Sequence, residues 1–256
     1  MFWKRKPKSP ITPEDQNWVE TSLDWINRKV VRLKKQPTIE PSPAFFDRDF
    51  TGSEEDARYV LEQCGEYFQI KLDDLELHFY EEAALKLDPG LVSRVKSNGA
   101  AGLYRQGGGI YEIWLEQKQL QRPEALVATM AHELSHYLLM GQKGIYIKGE
   151  ENEWITDLVT IAYGFGIFTG NAKFSFQQWQ SGDGWGGWSS SKKGYLPLPV
   201  IAYAMADIEC RKGKQDLPTW MQHLNRDLKS DFKQSFRYIQ HQRQGTPGLA
   251  PSDEQD

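Results

Sequence analysis

Two short polar motifs set in apolar surroundings constrain this chain more than any other feature. The first is His132-Glu133-Leu134-Ser135-His136, preceded by Ala125-Leu126-Val127-Ala128-Thr129-Met130-Ala131 and followed by Tyr137-Leu138-Leu139-Met140. The second, Asn152-Glu153-Trp154-Ile155-Thr156-Asp157, follows after a short connection. A helix apolar on so many sides is expected to be buried. Ionisable side chains are costly there unless they are paired or bound to a metal. Any fold this chain adopts must satisfy them together.

On an α-helix, positions i and i+4 stack on one face. His132 and His136 therefore project side by side, and one tetrahedral Zn²⁺ can accept both imidazoles at about 2.0–2.1 Å. Glu133 is offset by about 100° around the helix. It stays out of the ligand set yet near enough to take a proton from a metal-bound water. A catalytic zinc site has a third protein ligand and an open position. Glu153 is the candidate ligand, on a predicted helix from about residue 150 to 163 whose apolar part is Ile155, Leu158, Val159 and Ala162 and whose terminator is Gly164. Asp157 comes one helical turn after Glu153 and is spaced to accept the outer ring N–H of a metal-bound histidine.

HELSH followed by NEWITD resembles the motif pair of the gluzincin zinc peptidases, the thermolysin-like branch of the zincins. Their pattern is HExxH, then a helix carrying Asn-Glu-x-x-Ser/Thr-Asp. The resemblance covers about residues 110–164, with a spacing that implies a compact variant. It implies that His132, His136 and Glu153 bind zinc, that Glu133 is the general base and that Asp157 orients His132. The implied activity is a metallopeptidase, a hydrolase acting on a peptide or protein substrate. The implied fold is α+β and zincin-like: a small, mostly antiparallel sheet packed on the HExxH helix and a second zinc-ligand helix, with additional N- and C-terminal helices. One sheet edge would border the cleft, where an extended substrate adds as a strand. The family's further transition-state donors, a Tyr and a His, have no matched positions. By residue type alone Tyr163, Tyr195 and His223 are candidates, and His223 also reads as a surface residue. Two other readings stay open: a zinc-binding zincin-fold regulatory or binding protein with little or no peptidase activity, and an α+β protein whose motifs are structural and bind no metal.

The rest of the chain sets the frame. Residues 1–40 read as a basic N-terminal arm, an amphipathic helix and a Pro-rich connection. Residues 41–242 read as the metallopeptidase domain, and 243–256 as a polar, disordered tail. Thr12-Pro13-Glu14-Asp15 is a helix start, and Val19, Leu23, Ile26, Val30 and Leu33 continue as an apolar stripe flanked by Trp18 and Trp25. Ser53 opens a second helix that buries Ala57, Val60, Leu61, Cys64 and Phe68. Strands are expected at Leu75–Tyr80, with His78 on the polar face, and at 101–105 and 110–115, joined by the glycine-rich turn at 106–109. Residues 173–194, rich in aromatics and glycine, read as a long loop: either a flap that shapes a pocket or a surface loop pinned by tryptophan. Leu198–Lys212 and Pro218 to about Gln240 read as further helices.

The formal net charge of -4 gives no support for nucleic-acid binding. Cys64 and Cys210 are the only cysteines and read as buried free thiols. The basic start, Met1 to Lys8, lacks the apolar run of a secretory signal and reads as a solvated terminus or a loose attraction to an anionic surface. No stretch approaches the roughly 18 apolar residues of a membrane span. The expectation is a cytoplasmic protein without stable membrane insertion, and a protein partner is not indicated.

Overall fold

The computed structural model describes residues 6–81, 102–107, 110–149, 151–181 and 196–245. Helix α1 (Pro13–Lys29) starts where the sequence requires. Thr12 accepts from the Asp15 N–H, Pro13 occupies the first turn, and Glu14 and Asp15 face the positive end of the helix dipole. The helix stops at Lys29, earlier than the apolar stripe predicts, because the Asn27 side chain captures the Leu33 N–H at 3.0 Å. Leu33 therefore reaches the core from a 3₁₀ turn, Leu33–Lys35. Helix α2 (Glu54–Phe68) opens with a capping box between Ser53 and Asp56 and buries the five residues expected of it.

Strands β1 (Leu75–Tyr80), β2 (Gly102–Gly107) and β3 (Ile110–Glu116) form one sheet in the order β1-β3-β2. β2 is antiparallel to β3, pairing Gly107 with Ile110 and Gly102 with Leu115. β1 is parallel to β3, pairing Leu75 with Tyr111 and Tyr80 with Glu116. The sheet is thus mixed, and the expectation of a mostly antiparallel sheet is corrected. Only two residues join β2 to β3, a connection that antiparallel neighbours allow and parallel ones do not. β1 pairs with β3 rather than with β2, the next strand in the chain, and because β2 reverses the chain direction between them, β1 and β3 run parallel; alternation within a strand carries no record of that choice of neighbour. Tyr111, Ile113 and Leu115 face the core. Glu112 and Trp114 alternate to the outer face, beside Glu76 and His78 of β1.

The helices that follow carry the two motifs. Helix α3 (Pro123–His136) continues into a π turn, Tyr137–Gln142. Helix α4 (Glu151–Thr160) continues into a π turn, Ile161–Phe165, and then into helix α5 (Gly166–Ser181). Gly164 breaks the helix as expected, with φ at +99°, but the chain resumes helical geometry at once. Residues 173–181, expected in a loop, are therefore helical. The rest of that loop, from residue 182, lies outside the described residues. Helix α6 (Leu198–Arg211) is buried along almost its whole length and packs against α1, α5 and helix α7 (Arg226–Gly245). The last helix starts later than expected, after a 3₁₀ turn at Thr219–His223, and it takes in residues 243–245 of the expected tail.

One hydrophobic core joins these elements. Val19, Leu23 and Ile26 of α1 belong to the same buried cluster as Met130 and Leu134 of α3 and Ile201 and Met205 of α6. Charges buried with it are paired: Asp207 with Arg211 and Arg243, and Glu209 with Lys212 and Thr38. Both cysteines are buried and free, and burial pushes the Cys210 thiol up to about 12. Among the described residues no helix is long and apolar enough to cross a membrane.

Gly164 is the hinge that returns the chain toward α4. Its carbonyl accepts from the Ile39 N–H at 3.0 Å, and a Cβ there would collide with the Pro37 carbonyl oxygen. Gly164→Ala combines a positive φ with that collision. It is expected to lower unfolding stability by roughly 2–4 kcal/mol, read from denaturant midpoints. A loss below about 0.5 kcal/mol, the range of an ordinary surface substitution, would contradict the hinge assignment.

Candidate metal centre

Helix α3 begins with Pro123 at its first position and Glu124 in its first turn, and no breaker interrupts it before His136. Its neighbours are α2, α4, α5 and β2. Because it is surrounded, its polar residues are buried along with its apolar ones: His132, Glu133, Ser135 and His136 are all inaccessible or nearly so. Helices α3 and α4 meet along a seam of small hydroxyl residues. Ser135 Oγ and Thr160 Oγ1 are 2.8 Å apart. Each hydroxyl also reaches a carbonyl one turn back, Ser135 to Ala131 and Thr160 to Thr156. Short side chains let the helices approach, and the carbonyl contacts keep the seam free of unpaired groups.

This approach brings His132, His136 and Glu153 together, with one donor atom from each lying within 4.8 Å of the others. His132 Nε2 is 3.2 Å from one Glu153 oxygen, and His136 Nε2 is 3.5 Å from the other. Donors on a tetrahedral zinc at 2.0–2.1 Å stand about 3.3 Å apart. The measured spacings therefore suit a single small cation, and two nitrogens with one carboxylate are a donor set that zinc favours. Glu153 is the most open of the three, with 31% of its side chain exposed against 11% and 8% for the histidines.

Both imidazoles are held from behind. His132 Nδ1 lies 3.1 Å from Asp157 Oδ1, and His136 Nδ1 lies 3.2 Å from Thr156 Oγ1. The Thr156 hydroxyl donates to the Asn152 carbonyl at 2.7 Å, so it accepts from the His136 ring N–H. With Nδ1 as the outer donor, each Nε2 faces Glu153 and can give its lone pair to a metal once its own proton has left. The two rings cross at 81° with centroids 4.9 Å apart. His132 is bracketed by two carboxylates. Burial alone would lower its pKa, but the hydrogen bonds to Asp157 and Glu153 outweigh burial and push it up to about 10. Burial would likewise raise Glu153, and the two histidines instead hold it well below the usual carboxylate range. A divalent cation entering between Nε2 and Glu153 replaces the proton that these charges favour.

Asp157 has partners that spacing within the motif does not reveal. Its Oδ2 accepts from Lys173 Nζ on α5 and from the Leu196 N–H at 3.0 Å. Lys173 was legible in one respect: it is the only charged residue between Asp157 and Asp183. At the other end of α4, α1 braces the motif. Trp18 meets Trp154 edge-on at 5.6 Å, and its indole N–H reaches Glu151 at 3.5 Å.

The remaining candidates lie elsewhere. Tyr163 stacks on Phe68 at 4.4 Å, and its burial pushes its hydroxyl up to about 12. His223 pairs with Glu40 at 3.1 Å. Tyr195 falls outside the described residues. A second group of possible ligands, Glu76, His78 and Glu112, sits on the outer sheet face. Its members are bonded there to one another or to Trp114, which stacks on His78 at 4.5 Å. No protein-family model, curated protein or solved structure matches this chain.

The electrostatics of the centre give a pH signature in the zinc-free protein. Burial would raise the Asp157 pKa, but the Lys173 charge and the His132 hydrogen bond outweigh it and bring it down to about 2. A carboxylate held below its unfolded value of about 3.9 contributes stability that is complete above that pH and lost as pH falls through the folded value. The zinc-free protein is expected to lose stability between about pH 4 and pH 2. Asp157→Asn is expected to flatten that part of the profile, read as thermal midpoints at constant ionic strength. Identical profiles would mean that Asp157 is not held in its charged form.

Proposed function

We propose that this chain is a zinc-dependent peptidase of the zincin type, acting on a peptide or protein substrate in the cytoplasm. The observation that carries this reading is the convergence of His132, His136 and Glu153 at zinc-like spacing, with both histidines oriented from behind. Glu133, next to His132 on the same helix, completes the set. When bound there, zinc would supply Lewis acidity toward the scissile carbonyl and the attacking water. Glu133 takes the proton of that water and passes it to the leaving amine. Asp157 and Thr156 keep the imidazoles aimed through these steps, so no reorientation is needed as charge develops.

The sheet supports a peptide as substrate. β2 is an edge strand among the described residues and packs against α3. An extended chain laid along that edge would gain backbone hydrogen bonds without demanding particular side chains. Its glycine ends, Gly102 and Gly107, permit close approach.

Glu153→Ala is expected to weaken zinc binding by more than the roughly 10–100-fold typical of outer partners, measured by chelator competition. Unchanged affinity would place the third ligand elsewhere. Glu133→Gln is expected to keep zinc and lower cleavage of a diverse peptide mixture by about 10²–10⁴-fold, read by mass spectrometry. Equal cleavage by both proteins would remove Glu133 from the reaction. Zinc retained with no cleavage by either would favour a zinc-binding regulatory protein over a peptidase.

A further inference from the structure

Lys173 is a half-buried cation that the proposed hydrolysis does not use. Its side chain is 17% exposed and the carboxylate it meets, Asp157, is 1% exposed. The two oxygens of Asp157 do different work. Oδ1 faces His132 Nδ1 at 3.1 Å, while Oδ2 receives Lys173 Nζ and the Leu196 N–H. A carboxylate is planar, so whatever fixes Oδ2 also fixes the direction of Oδ1. The terminal torsion of an aspartate is otherwise broad and roughly two-fold. The two contacts on Oδ2 come from points well separated in the chain, one on α5 and one just ahead of α6, and α4 is held between them.

We propose that Lys173 is a positioning residue of the metal centre: by holding Oδ2 of Asp157 it aims Oδ1 at His132 and so raises the affinity for zinc. This rests on the reading of His132, His136 and Glu153 as a zinc site. The sign of the effect separates positioning from charge. As a bare positive charge near a divalent cation, Lys173 repels zinc, and its removal would tighten binding. As the group that holds Asp157, its removal loosens His132 and weakens binding. A residue that only neutralises Asp157 for folding would, when removed, lower the stability of the zinc-free protein and leave zinc affinity unchanged or improved.

The test is a chelator-competition titration of zinc on the full chain, with thermal midpoints of each zinc-free protein. Lys173→Met is expected to weaken zinc about 10–100-fold, the range for outer partners of a metal-bound histidine. Lys173→Arg, which keeps charge and reach, is expected to recover most of the loss. In an Asp157→Asn background, Lys173→Met is expected to change affinity less than about twofold, because the two residues act as one unit. That pair also removes both charges together, so it stays informative if Lys173→Met alone fails to fold. A Lys173→Met protein that binds zinc as tightly as wild type or more so overturns the inference. So does a large effect of Lys173→Met when Asp157 is already Asn. A wild-type chain that binds no zinc sinks the metal reading and this inference with it; a zinc-binding wild type with an indifferent Lys173 sinks the inference alone.

Discussion

A carboxylate sealed away from water must be compensated on every side, and the arrangement around Asp157 follows from that cost. Asp157 receives an imidazole from α3, an ammonium from α5 and a backbone N–H from the start of the α6 segment. Removing any of these would leave a buried charge with less than its full complement, which is far more costly than losing a surface ion pair. The helices around the site are therefore held in register by an electrostatic requirement as well as by apolar packing. Asp157 is a structural hub and an orienting group for His132 at once.

The packing makes that hub geometrically achievable. Small residues along the α3–α4 seam, with Ser135 against Thr160, let the two helices come close enough for His132 and His136 to face Glu153. Gly164 then turns the chain so that α5 returns Lys173 to the side of α4 it would otherwise leave behind. Both motif-bearing helices pass into a π turn beyond their motif residues, a feature that often accompanies functional sites. On the far side α1 closes against α4 through Trp18 and Trp154, which joins the N-terminal segment to the same core as the site.

Much of the local structure was legible because its causes are local. Thr12 with Pro13, and Ser53 with Asp56, satisfy orphan helix donors within a few residues, so the helix starts could be read directly. The alternation in Leu75–Tyr80 fixed both the strand and the outward side of His78. Failures came where something other than apolar patterning decides. Asn27 capturing Leu33 ends α1 before its apolar pattern ends. The glycine-rich appearance of residues 173–194 hid the last turns of α5, since a positive φ at Gly164 interrupts a helix without preventing another from starting two residues later. The direction of β1 relative to β3 depends on which strand β1 takes as its neighbour, and strand alternation does not encode that.

The sequence by itself determined which side chains could share a face: His132 with His136 one turn apart, and Glu153 with Asp157 one turn apart. Helical periodicity is a property of the chain and needs no partner. Only the tertiary structure decided that the two faces meet, at what separation, and that Thr156 stands behind His136 and Lys173 behind Asp157. Both are contacts between helices. They exist because burial leaves each charged or polar group no water to turn to, so each must find its partner in whichever helix packing brings alongside.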